Sequence, residues 1–127
     1  MEQKDNKKWL KPAYQVVAEV FANFLTTNGC AKLKQVQDRS SKMTNISTGK
    51  VYSELNGLLL AIDAVTKGYK SNVYGTIKQM NYAKRIIKAG EKATLILMID
   101  ESEAGKSVIL RSVFNVEQTE AKAEQAS

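Results

Sequence analysis

A-T-L-I-L-M-I-D-E-S-E-A-G-K-S-V-I-L-R-S-V-F-N-V, residues 93–116, is the stretch where the apolar period changes from helical to extended. Ala93–Ile99 is dense in Leu and Ile and reads as a strand apolar on both faces. Asp100–Lys106 is a polar turn containing Gly105. From Ser107 the alternation returns, with Val108, Leu110, Phe114 and Val116 on one side and Arg111 and Asn115 on the other. Two such runs joined by a short polar turn predict an antiparallel hairpin. The strong signals before it are helical. The predicted class is therefore α+β: two to three helices followed by a small antiparallel β-sheet in a single domain.

Upstream, Pro12 suits the first turn of a helix. Val16, Val17, Val20, Phe21, Phe24 and Leu25 follow at helical spacing as a core-facing stripe, and Asn28-Gly29 ends the helix. Residues 30–50 are polar, basic and without a clear period. They read as a mobile loop with a short helix near Leu33–Val36. A second long helix is expected at about Asn56–Lys67, with Leu55, Leu58, Leu59, Ile62 and Val65 on one face. Ser53 or Asn56 would cap it, and Gly68 ends it. Thr76 is a good N-cap for a shorter helix carrying Ile77, Met80 and Tyr82 or Ala83. Arg85–Lys88 offers a third short strand. The expected organisation is a flexible N-terminus over 1–11, in which Trp9 could act as an anchor, one domain over 12–118 and a solvated tail over 119–127.

The 127 residues are enough for one core without covalent staples. A single cysteine, Cys30, excludes an internal disulfide and fits a reducing compartment. The apolar run that begins at Gly57 soon meets Asp63, so no membrane span is expected. Lys4, Lys7 and Lys8 are followed by no apolar signal core, and a cytoplasmic location is expected. The absence of histidine excludes His-based triads and most zinc sites. No pair of acids stands out, so no catalytic residue, metal or cofactor is expected and the chain is read as a non-enzyme.

Charge is the less ordinary property. The net charge is +6, yet residues 30–92 alone carry twelve cations and four anions, a net +8. A polyanionic partner, nucleic acid first, suits a central basic excess of this size, although a solvated basic surface has the same composition.

Within that basic region lies Asn45–Asn56, N-I-S-T-G-K-V-Y-S-E-L-N. A Thr48-Gly49-Lys50 turn followed by Tyr52 sets backbone N–H groups, a cation and an aromatic ring side by side. Those groups suit a phosphate and a base, and equally an ordinary loop. Three further clusters follow: Tyr74-x-Thr76-x-Lys78-Gln79, Lys88-x-Gly90-Glu91-Lys92-x-Thr94 and Phe114-Asn115-Val116-Glu117-Gln118-Thr119-Glu120. In order and spacing the four together resemble the N-terminal domain of ArdC-type antirestriction proteins over roughly residues 40–120. Three positions depart from that pattern. Glu54 stands where a glycine is usual, Tyr74 where tryptophan is usual, and Lys32–Gln37 where a Trp-Pro-rich segment is usual.

The resemblance implies single-stranded DNA as partner and a setting on plasmids or other mobile elements, in antirestriction or DNA transfer. Full-length members continue into a zinc metallopeptidase-like domain with an H-E-x-x-H helix. With no histidine, this chain looks like the DNA-binding half alone. Beside the resemblance, Lys50, Lys78, Lys84, Arg85, Lys88 and Lys92 are candidate phosphate contacts. Tyr52 and Tyr74 are candidate stacking residues or else packing residues. Thr48 and the backbone at Gly49 either bind a phosphate oxygen or close a turn. Asn56 and Thr76 are expected to cap helices, Gln79, Asn115 and Gln118 to tie motifs together, and Phe114 to lie in the core. An acid at Glu54 would weaken a phosphate contact made there. The alternative reading is a protein-interaction module whose basic face binds an acidic partner from restriction or conjugation machinery.

Overall fold

The computed structural model describes residues 13–28, 30–102 and 105–123. The expected flexible segment 1–11, Trp9 and the end of the expected tail lie outside them. Helix α1 is Ala13–Asn28, α2 Leu33–Ser40, α3 Glu54–Lys67 and α4 Ile77–Tyr82. The strands are β1 Thr44–Asn45, β2 Val73–Gly75, β3 Arg85–Ile87, β4 Thr94–Ser102, β5 Gly105–Asn115 and β6 Thr119–Ala121. A 3-10 turn, Val116–Gln118, joins β5 to β6. The class is α+β as expected, with four helices among the described residues rather than two to three.

The predicted hairpin is the longest element of the sheet. Antiparallel β4 and β5 pair continuously from Thr94↔Val113 to Ser102↔Gly105, so the strands run further into the polar turn than its composition suggests. β5 also pairs with β2, and β2 with β1 in parallel, giving the order β1-β2-β5-β4. Two sequence expectations fail at β5. Asn115, placed on the outward side by alternation, is 0% exposed, because β2 covers that end of the strand. Conversely Ile99 and Val108, directly opposite one another, remain 65% and 52% exposed, so the doubly apolar hairpin is not covered on both faces.

Helix α3 is the centre of the core. Ser53 caps it, accepting from Asn56 N, and Gly68 ends it in the left-handed region. It is buried from Asn56 to Val65 except for half-exposed Leu58, well beyond a single stripe, because α1, α2 and β4 all pack around it. Leu60, Ala61 and Ala64 meet Val36, Met43, Tyr74, Ile96 and Val113 in one cluster. The α1 stripe is more peripheral than its pattern predicts. Phe24 alone of that set is fully buried, Val20 and Phe21 are partly covered, and Leu25 is exposed.

Residues 30–50 are not a mobile loop. α2 crosses α3 so closely that a Cβ on Gly57 would run into the Ser40 carbonyl oxygen. Val36 and Met43 are both buried, which anchors the segment at two points. The tail also needs correction. Thr119–Ala121 pairs antiparallel with β3 in a separate two-stranded sheet, and Thr119 is buried. The strand expected at Arg85–Lys88 therefore exists, over Arg85–Ile87, but its partner is β6 rather than the hairpin.

Candidate nucleic-acid interface

Asn45 at the end of β1 organises the loop that follows. Its Oδ1 accepts from the backbone N–H groups of Ser47 and Thr48, at 2.8 and 3.0 Å. The loop closes with Gly49 N donating to the Asn45 carbonyl and Asn45 N donating to the Lys50 carbonyl. Thr48 Oγ1 accepts from Lys50 N at 3.1 Å, and Gly49 takes φ +73°. The hydroxyl of Thr48 and the N–H of Gly49 are thus used to close the turn. What the loop turns outward is Lys50, which is exposed.

The other end of the Asn45 amide reaches into the fold. Nδ2 donates to Tyr52 Oη at 2.9 Å and to Gln79 Oε1 at 3.1 Å. Tyr52 Oη donates onward to the Tyr74 carbonyl at 3.2 Å. Gln79 Oε1 also accepts from Thr76 N, while Thr76 Oγ1 accepts from Gln79 N, forming a reciprocal cap at the start of α4. The first two sequence clusters are one hydrogen-bond network, and its side chains point inward. Burial holds the Tyr52 phenol above its ordinary value, and the bond from Asn45 offsets that in part.

The last two clusters form a second network. Gln118, 1% exposed, accepts from Asn115 N at 2.8 Å. It donates to the Lys92 carbonyl at 2.8 Å and to Glu91 Oε1 at 3.0 Å. Its own carbonyl accepts from Lys88 N. The Lys88–Lys92 turn is therefore pinned by its backbone, leaving both lysine side chains exposed. Asn115 Nδ2 donates to the Ser71 carbonyl, and the Glu117 carboxylate accepts from the backbone of Lys70 and Ser71. The expected tying role of Gln79, Asn115 and Gln118 is what these bonds describe. Phe114, 6% exposed, is in the core.

Tyr74 is not available for stacking. It is 0% exposed, and its hydroxyl donates to Asp63 Oδ2 at 2.7 Å, with the Leu60 carbonyl 3.2 Å away. Burial first, then the Asp63 charge and hydrogen bond, push its phenol far above the ordinary value. Tyr52 is half-buried with its hydroxyl engaged. Arg85 is half-committed as well, donating through Nε to Thr119 Oγ1 at 2.6 Å and through Nη2 to the Thr119 carbonyl. Thr76 caps α4 as expected, but Asn56 spends its side chain on Leu97 of β4. Glu54 lies exposed in the first turn of α3, where a negative charge suits the helix dipole.

The lysines divide into two groups. Lys50 and Lys78 flank the junction of the Asn45 loop with α4, and Lys84 follows on the turn after α4. Lys88 and Lys92 sit on the turn held by Gln118. All five are exposed, and among the described residues none of them forms an ion pair. Sequence reasoning missed the cleft at the first group, lined by Ser47, Lys78, Gln79, Asn81 and Tyr82. It grouped Ile77 and Met80 with Tyr82 or Ala83 on α4, yet the Tyr82 ring is 88% exposed and Ile77 52% exposed, with Met80 alone anchoring the helix at 0%. The available signal was angular: two residues along a helix is more than half a turn, so Tyr82 faces away from Met80.

Among the described residues, no helix is long and apolar enough to cross a membrane. The family model for the N-terminal domain of anti-restriction factor ArdC matches residues 11–126. Two crystal structures of the antirestriction ArdC protein from the R388 plasmid are similar to this chain. The Mn(II)-bound structure has a TM-score of 0.59 and 28% identity, covering 73% of this chain and 41% of that one. The metal-free structure has a TM-score of 0.54 and 22% identity, covering 85% of this chain and 42% of that one. The chain thus spans about two fifths of the length of that protein. No curated protein matches it. There is no histidine, and among the described residues no three Cys, Asp and Glu side chains group to hold a metal.

Proposed function

The chain belongs to the ArdC N-terminal domain family, and from that membership we propose a non-catalytic, sequence-tolerant single-stranded-DNA-binding unit serving antirestriction or DNA transfer. The observation that carries this reading is the division of labour within the motifs. The side chains of Asn45, Thr48, Tyr52, Thr76, Gln79, Asn115 and Gln118 are consumed internally, and Lys50, Lys78, Lys88 and Lys92, with Lys84 just outside the motifs, are left exposed without ion pairs among the described residues. Cations on pinned backbone suit a phosphate chain and carry no base code, so binding is tolerant of sequence. The absence of catalysis is supported by the use of the nearby acids. Asp63 pairs with Lys67 and Tyr74, Glu91 with Gln118, and Glu117 with the backbone at Lys70 and Ser71.

Fluorescence anisotropy with labelled oligonucleotides at two salt concentrations tests the reading. Affinity should fall with salt at a slope near −0.7 per phosphate neutralised. No binding in low salt, or binding indifferent to salt, would sink it. A second reading, a module that docks a protein partner, is favoured by the exposed Ile99–Val108 pair on the hairpin. Capture of a host protein that survives nuclease treatment and is lost on Ile99→Ser would favour that reading instead.

A further inference from the structure

We propose that Tyr82 stacks on one unpaired nucleobase of single-stranded DNA, with Lys78 and Lys84 holding the flanking phosphates. The inference rests on the DNA-binding reading above and names the site at which a base, rather than the backbone alone, is engaged. Of the described large hydrophobic side chains Tyr82 is the most exposed, at 88%. Among the described side chains every other aromatic ring is buried or half-buried: Phe24, Phe114 and Tyr74 in the core, Phe21, Tyr52 and Tyr69 against it. An open ring face is the element a sequence-tolerant single-strand binder requires, because every base has a π-face.

The ring stands on a fixed platform. The reciprocal Thr76–Gln79 cap starts α4, Met80 anchors it in the core, and Gln79 is bonded to Asn45. Beyond Tyr82 the chain turns sharply. Ala83 N donates to the Gln79 carbonyl, Lys84 N to the Asn81 carbonyl, and Lys122 N to the Lys84 carbonyl. Lys84 takes φ +64°, the one positive φ at a non-glycine among the described residues, so the turn is held by its surroundings rather than by preference. Lys78 lies four residues before Tyr82 and so on the same helix face. The cleft at this face, about 590 Å3, is lined by Ser47, Lys78, Gln79, Asn81 and Tyr82, with no acid among them. A cation beside an open ring, with Ser47 and Asn81 lining the same cleft, suits a base between two phosphates.

The test compares anisotropy titrations of an oligo-dT and of an abasic oligomer of equal length, using the full chain, Tyr82→Ala and Tyr82→Phe. The wild type should favour oligo-dT. Tyr82→Ala should weaken oligo-dT roughly five- to hundredfold and leave the abasic oligomer and the salt slope unchanged. Tyr82→Phe should keep the preference, because the ring suffices. Equal oligo-dT affinity for Tyr82→Ala and wild type would overturn the stacking role, as would an equal loss on both oligomers. Failure of the wild type to bind either oligomer in low salt would instead overturn the DNA-binding reading and this inference with it.

Discussion

Asn56, in the first turn of α3, is hydrogen-bonded through both ends of its side-chain amide to the backbone of Leu97, forty-one residues away on β4. Nδ2 donates to the Leu97 carbonyl at 2.7 Å, and Oδ1 accepts from Leu97 N at 2.8 Å. β4 is an edge strand, and Asn56 occupies the very groups through which another strand would pair. Asn56→Ala should lower stability by about 2–3 kcal/mol, since it leaves a buried donor and acceptor without partners. Urea denaturation should show a lower midpoint with an unchanged slope. A midpoint equal to that of the wild type would show that the amide does not hold the edge.

Gly57 is required by the crossing of α2 over α3. Alanine is ordinarily favoured over glycine inside a helix by about 1 kcal/mol. Here the added methyl would meet the Ser40 carbonyl, which is backbone and cannot rotate away. Overpacking costs about 1–3 kcal/mol, so Gly57→Ala should be destabilising despite the better propensity. A rise in thermal midpoint would show that the two helices part easily.

Tyr74→Phe separates the structural role of this residue from any DNA role. It removes the hydroxyl that donates to buried Asp63, leaving Lys67 as that carboxylate's ion-pair partner. A loss of about 1.5–3 kcal/mol is expected for a hydrogen bond to a charged group. Oligonucleotide affinity, measured where the variant is folded, should not change.

Alkaline pH should weaken the fold through its tyrosines. Desolvation, with the carboxylates of Asp63, Glu91 and Glu117 adding, pushes Tyr69 from 10.0 to about 12, and Tyr74 moves in the same direction. The unfolded chain releases these protons near the ordinary value while the folded chain keeps them, so stability falls as pH rises. The Tyr69 contribution is complete below pH 10.0 and is lost as pH climbs to about 12. Thermal midpoints of Tyr69→Phe should therefore decline less steeply than those of the wild type over that window. Parallel declines would refute the assignment.

The lysines should not be equivalent in DNA binding. Lys50→Gln, Lys78→Gln and Lys84→Gln should each reduce the magnitude of the salt slope by about 0.7. Lys34, already paired with Asp38 on α2 at 3.5 Å, should leave it unchanged when replaced by Gln. An equal effect from Lys34→Gln would mean that net charge, rather than this surface, sets the affinity.

Local pattern made much of the fold legible. The change of period at residue 93, the caps at Ser53 and Thr76, and the stop at Gly68 act within a few residues of themselves, and the structure has them. The same holds for the charge distribution, which is a property of composition. Residues 30–50 were illegible because their order comes from Val36 and Met43 entering a core built by other segments. β6 was illegible because its partner, β3, lies more than thirty residues upstream.

Where each motif side chain faces was decided by the tertiary structure alone. The four clusters could be quoted from the sequence, but it left Tyr74 open between stacking and packing, and left the short helix open between Tyr82 and Ala83; the structure encloses Tyr74 and exposes Tyr82. Periodicity states which side of its own element a residue occupies. It does not state which element covers that side. β2 is sandwiched between β1 and β5, so Tyr74 is enclosed and bonds Asp63 of α3. α4 buries one residue only, so Tyr82 is left in solvent. Sequence by itself determined the long helices, the hairpin and the charge, because these are set by near neighbours. Packing between distant segments decided which polar groups were consumed inside and which rings and cations remained for a ligand.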